Sequence, residues 1–118
     1  MDAQLTNLGE KPFIVTQGDI DHSNCKAVET ALNDVILKGS DVVLLDLGQV
    51  SYIDSGGLSV LFSAARRLRE KGWLGLVAPN ASVRRLLEIV GVFADPSFRV
   101  FDDRPAAEAA LLDGTSAG

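Results

Sequence analysis

A chain of 118 residues with a formal net charge of -5, 47% hydrophobic and 23% charged, has the length of one domain and the composition of an ordinary globular protein. Its acidic balance argues against nucleic-acid binding, which needs a basic patch to neutralise phosphates, and no apolar run approaches the roughly 20 residues that span a bilayer. With Cys25 and His22 as the sole residues of their kinds, neither a disulfide framework nor a Cys/His zinc site can form within one chain, and no metal or cofactor is expected.

The start Met1-Asp2-Ala3-Gln4-Leu5 lacks a basic stretch and an apolar signal core, so the expected compartment is the cytoplasm. Phe13-Ile14-Val15-Thr16 before Gly18 reads as a strand, paired with an earlier one near Leu5 to Leu8 through a hairpin turn at Gly9-Glu10-Lys11. From Cys25 the apolar residues Val28, Leu32 and Val35 recur at helical steps until Gly39, a favoured helix stop.

Val42 to Leu47 is a short, almost continuous apolar run, the pattern of a central strand covered on both faces. After Gly56 and Gly57, residues Leu58, Leu61, Phe62, Ala65 and Leu68 trace a second amphipathic helix that Gly72 closes. Trp73 to Ala78 reads as another buried strand, and Asn80 as the cap of a helix carrying Val83, Leu86, Leu87 and Val90. Phe98 to Phe101 makes a last strand, Asp103 and Pro105 start a terminal helix to Leu112, and a loose tail is expected from Gly114. The alternation predicts an α/β fold: one domain over residues 1–118, its core at about 10–112. Its mixed, partly parallel sheet of about four to five strands is covered by about four helices.

In open α/β sheets functional residues gather beyond the C-terminal ends of strands. That places two loops in view, Gly18-Asp19-Ile20-Asp21-His22-Ser23 and Ile53-Asp54-Ser55-Gly56-Gly57-Leu58, both expected at one end of the sheet. Ser55 at a helix start suits either capping of free N–H groups by its hydroxyl or phosphorylation, since an added phosphate meets the helix dipole. Gly56 and Gly57 would let a partner or a phosphate approach the backbone closely. Ser55, His22 and one of Asp19, Asp21 or Asp54 are the residue types of a hydrolase triad, but a nucleophile elbow needs glycine where Ile53 stands. No catalytic residue is assigned. Asp19 and Asp21 fit a strand end entering a helix as well as they fit acid–base or metal chemistry.

Gly18-Asp19-Ile20-Asp21, the run Val43-Leu44-Leu45-Asp46-Leu47 and the turn Tyr52-Ile53-Asp54-Ser55-Gly56-Gly57-Leu58 together resemble the STAS domain family. The likeness continues through Val83-Arg84-Arg85-Leu86-Leu87-Glu88-Ile89-Val90-Gly91-Val92 and covers about residues 10 to 112. Members that consist of little besides this domain resemble the anti-sigma factor antagonists. The resemblance implies a binding switch, not an enzyme. Unphosphorylated protein binds an anti-sigma factor serine kinase, which holds the ATP, and frees a sigma factor; phosphate on Ser55 ends binding, and a PP2C-type phosphatase resets the cycle. Asp19, Asp21, Asp54, Gly56, Gly57 and Leu58 are the implied partner-binding residues. Two positions depart from the family pattern: Gly56 stands where many members have serine or threonine, and Asp19 where glutamate is common. A docking subunit of a transporter or of a stressosome-like assembly is the alternative.

Overall fold

The computed structural model describes residues 2–112, with nothing described of the Asp2 side chain; the expected tail, 114–118, lies outside them. Five strands, β1 (Asp2–Leu8), β2 (Lys11–Gln17), β3 (Val42–Gln49), β4 (Trp73–Val77) and β5 (Phe98–Phe101), lie side by side in sequence order. β1 runs antiparallel to β2, and every later neighbour is parallel. One row crosses the whole sheet: Leu5, Ile14, Leu45, Leu76 and Val100 stand in register. The helices are α1 (Cys25–Leu37), α2 (Ser55–Leu68), α3 (Ala81–Ile89) and α4 (Arg104–Leu112), with a short 3-10 turn at Val92–Ala94 between α3 and β5.

Alternation along the strands divides the core. Ile14, Val43, Leu45, Leu47, Leu74 and Leu76 face the side where Val28, Leu32, Leu61, Leu68, Val83 and Leu87 of α1, α2 and α3 pack. Phe13, Val42, Leu44, Trp73 and Val77 face the other side, against Ala107 and Leu111 of α4. β3 is thus the central strand covered on both faces, and its first four residues are all buried.

The sequence expectations need three local corrections. The hairpin turn is Gly9-Glu10 alone; Lys11 opens β2 opposite Leu8, and its ammonium pairs with Asp41 at 2.9 Å. β1 begins at Asp2 instead of near Leu5, because pairing with β2 extends a strand whose Gln4, Thr6 and Asn7 are solvent-exposed. α3 ends at Ile89, so Val90 is an exposed cap instead of part of the buried stripe. Gly91 then takes a left-handed φ of 89°, and Val92 becomes the buried residue. No helix among the described residues is long and apolar enough to cross a membrane.

Candidate functional site

The loops that follow β2 and β3 meet at the C-terminal end of the sheet. The chain after β2 continues alongside the chain after β3: Ile20 N–H donates to the Tyr52 carbonyl at 2.9 Å, and Asp54 N–H donates to the Ile20 carbonyl at 3.1 Å. Ile20 and Ile53 are both buried and lock the junction from below. Above it stand Asp19, Asp21, His22, Tyr52, Asp54 and Ser55.

α2 begins at this junction, and its cap is Asp54, not the Ser55 hydroxyl. Asp54 has extended backbone angles, and its Oδ1 accepts the Gly57 N–H at 3.0 Å, while its own carbonyl accepts Leu58 N–H at 2.9 Å. Aspartate and serine are about equally good caps, so two in succession compete for the place. Here the bridge between Ile20 and Ile53 fixes extended geometry at the end of the turn, and Asp54 is the last residue before helical angles begin. Ser55 is therefore the first residue of the helix. It is exposed, and its hydroxyl makes no hydrogen bond among the described residues.

The second oxygen of Asp54 is occupied from the other loop. Oδ2 accepts the backbone N–H of His22 at 3.0 Å and lies 3.1 Å from the imidazole Nδ1, which donates to it. The Gly57 N–H, then the imidazole and the backbone N–H of His22, hold the Asp54 carboxyl down to about 2. The same contact raises the His22 imidazole above its ordinary value, with the Asp21 charge adding to it. A carboxylate so committed is a poor proton acceptor. His22 turns to Asp54 and makes no hydrogen bond with Ser55, so no triad is assembled.

The two glycines of the turn serve the junction itself. A Cβ on Gly57 would stand 2.6 Å from the Ile20 carbonyl oxygen, and one on Gly56 would stand 2.8 Å from the His22 Cβ and 2.9 Å from its Cα. The side-chain space at both glycines is thus taken by the neighbouring loop. Gly57 is buried, while Gly56 and Leu58 are half-buried.

Asp21 is drawn into its own loop. Its Oδ1 accepts the Ser23 hydroxyl at 2.6 Å, the Ser23 N–H at 2.9 Å and the Asn24 N–H at 3.1 Å. The Ser23 hydroxyl is the main cause that holds this carboxyl below the usual range. Asp21 thereby shapes the entry to α1, whereas Asp19 is exposed and makes no hydrogen bond through its side chain among the described residues. The exposed face of the site is then Asp19, His22, Ser55 and Tyr52, the last 56% exposed. Sequence reasoning put His22 in the loop beside the turn but did not pair it with Asp54 as a structural contact: the two lie 32 residues apart, and no local pattern joins them.

Residues 6–107 match the family model of the STAS domain. The chain belongs to the STAS domain family. BtrV of Bordetella bronchiseptica, named as an anti-sigma factor antagonist, is 38% identical to this STAS chain over 96 residues, covering 80% of this chain and 81% of BtrV. Among solved structures, an anti-sigma factor antagonist from Mycobacterium paratuberculosis superposes with a TM-score of 0.79 at 24% identity, over 95% of this chain and 92% of that one. The Bacillus cell fate determinant SpoIIAA in its phosphorylated form superposes with a TM-score of 0.68 at 20% identity, over 97% of this chain and 99% of that one. At those identities the solved structures establish the shared STAS fold.

Proposed function

We propose that this STAS chain is a cytoplasmic anti-sigma factor antagonist whose binding is switched by phosphorylation of Ser55. The observation that carries the reading is the state of that hydroxyl: exposed, unbonded and at the first position of α2, beside an aspartate whose two oxygens are already committed. The names of its relatives supply the partner class, an anti-sigma factor. In the forward step the Ser55 Oγ attacks the γ-phosphorus of ATP held by the partner kinase. An O–P bond forms, the bond to the β-phosphate bridging oxygen breaks, ADP leaves, and the serine proton passes to a base. Both oxygens of Asp54 are already engaged, by Gly57 N–H and by His22, so the base is assigned to the kinase. A PP2C-type phosphatase hydrolyses the ester and restores the hydroxyl.

The added phosphate carries about -1.5 to -2 charges. It enters a surface that already holds Asp19 and Asp54 and meets the face that the partner covers. A change in affinity of only a few kcal/mol suffices to move the partner from bound to free.

The test is affinity capture from cell extract with mass spectrometry, together with phosphate incorporation from labelled ATP in wild-type and Ser55→Ala chains. Recovery of a kinase-fold anti-sigma factor, with incorporation lost in Ser55→Ala, is the expected result. Unchanged incorporation in that variant, or recovery of transporter or scaffold subunits in place of an anti-sigma factor, would overturn the reading.

A further inference from the structure

Both neighbours of Ser55 touch His22. On one side Asp54 Oδ2 takes the His22 backbone N–H at 3.0 Å and its Nδ1–H at 3.1 Å. On the other, Gly56 lies so close under His22 that a Cβ there would collide with the His22 Cα at 2.9 Å. The imidazole is nevertheless 83% exposed, so the ring is free to turn while the backbone stays fixed. Of its two nitrogens only Nδ1 has a partner among the described residues.

The charged groups that face the ring are the Asp54 carboxylate, from the turn before α2, and the Asp21 carboxylate, from its own loop. No lysine or arginine pairs with either: the described ion pairs of such residues are Lys11 with Asp41, Arg84 with Asp102 and Arg104 with Asp46. Of the side chains able to carry positive charge, His22 is therefore the one these contacts place at the turn, and it touches both residues that flank Ser55.

We propose that His22 is the counter-charge of the phosphorylated turn: when Ser55 carries phosphate, the imidazolium swings from Asp54 to the phosphate oxygens, while the His22 backbone N–H stays on Asp54 and keeps the two loops joined. This rests on the reading of Ser55 as the acceptor. A phosphate dianion offers more charge and more acceptor oxygens than a carboxylate that already accepts two backbone N–H groups, so the exposed ring gains by the exchange. Asp54 retains both backbone bonds, so α2 keeps its cap in either state. The device makes His22 a positioning residue. It sets the charge of the modified turn and, through linkage, the protonation of the phosphate itself.

The experiment uses the full chain with phosphoserine encoded at position 55, so that no kinase is needed and a failure of the kinase reading stays separate. Because His22 is the only histidine, its imidazole resonances report one site. The expected result is a titration midpoint raised by about one unit relative to the unmodified chain, a tenfold gain in proton affinity. In parallel, the phosphorus resonance should titrate at lower pH in the phosphoserine chain than in the same chain carrying His22→Gln. A midpoint that moves by less than about 0.3 units, the size of a screened charge without contact, overturns the proposal. So does a phosphorus titration that His22→Gln leaves unchanged.

Discussion

The Ile20 carbonyl oxygen accepts the Asp54 N–H at 3.1 Å and stands 2.6 Å from where a Cβ of Gly57 would lie. One atom thus joins the two loops and leaves no room for a side chain at the third residue of α2. Gly57→Ala must push Ile20 and its loop away from α2, since the obstacles include backbone and not only side-chain ends. Overpacking of this kind costs about 1–3 kcal/mol. Urea unfolding should show that loss, and amide resonances of Ile20, His22 and Asp54 should shift together. A variant with wild-type stability and unmoved resonances would show that the close approach does not exist in solution.

Asp54 and His22 give the stability a pH profile with two flanks. The Asp54 carboxyl is lowered in the folded chain to about 2, so its contribution is present above the unfolded value near pH ~3.9 and is lost as pH falls toward 2. The His22 imidazole is raised, chiefly by its hydrogen bond to Asp54. Its contribution is complete below the unfolded value near pH ~6.5 and is lost as pH rises through the folded one. Urea midpoints measured across pH should therefore fall on both sides of a window between about 4 and 6.5. Asp54→Asn should flatten the alkaline flank, because it removes the charge that raises His22, and reduce the acid flank to the part owed to other lowered carboxylates such as Asp21. His22→Gln should flatten the alkaline one and reduce the acid one in part. A profile that Asp54→Asn leaves unchanged would contradict the pairing.

Much of this was legible in the chain. The apolar run Val42 to Leu47 announced the central strand, and the repeating strand and helix signals gave the order of elements from β2 to α4. Both loops at one end of the sheet followed from the parallel topology alone. What escaped were choices between near-equal local options and contacts distant in sequence. Asp54 and Ser55 are both good caps, and only the bridge from Ile20 to Ile53 selects the first. Polar Gln4, Thr6 and Asn7 hid the length of β1, because an edge strand needs no buried face at those positions. The glycines at 56 and 57 signalled close approach, but not that the approaching group was His22 and Ile20 of the same chain. Val90 fell on the helical stripe, yet Gly91 stops the helix first and Val92 takes the buried place.

Asn80 offers a test of how the end of β3 is tied to α3. Its Oδ1 accepts the Val83 N–H at 2.8 Å as the helix cap, and its Nδ2 donates to the Val50 carbonyl at 3.1 Å. Loss of such a cap costs about 1 kcal/mol, and a net hydrogen bond contributes a further ~1 kcal/mol. Asn80→Ala should lose both and Asn80→Ser only the second, since serine still caps. Equal loss in the two variants would mean that one of the bonds contributes nothing.

The turn itself is probed most directly at Gly56. Here a Cβ would meet the His22 Cβ at 2.8 Å, the His22 Cα at 2.9 Å and Asp54 Oδ1 at 3.2 Å. Gly56→Ser cannot fit beneath His22, so the 18–23 loop must lift and the imidazole must leave Asp54. The His22 titration midpoint should then fall toward its ordinary value, and the Asp54 carboxyl should rise, because it loses two of its donors but keeps Gly57 N–H. Since Ser55 Oγ makes no bond to either group, its exposure should not change. A Gly56→Ser chain that keeps the raised His22 midpoint would mean that the loop accommodates a side chain without moving, and the tight seat of His22 between Asp54 and Gly56 would have to be given up.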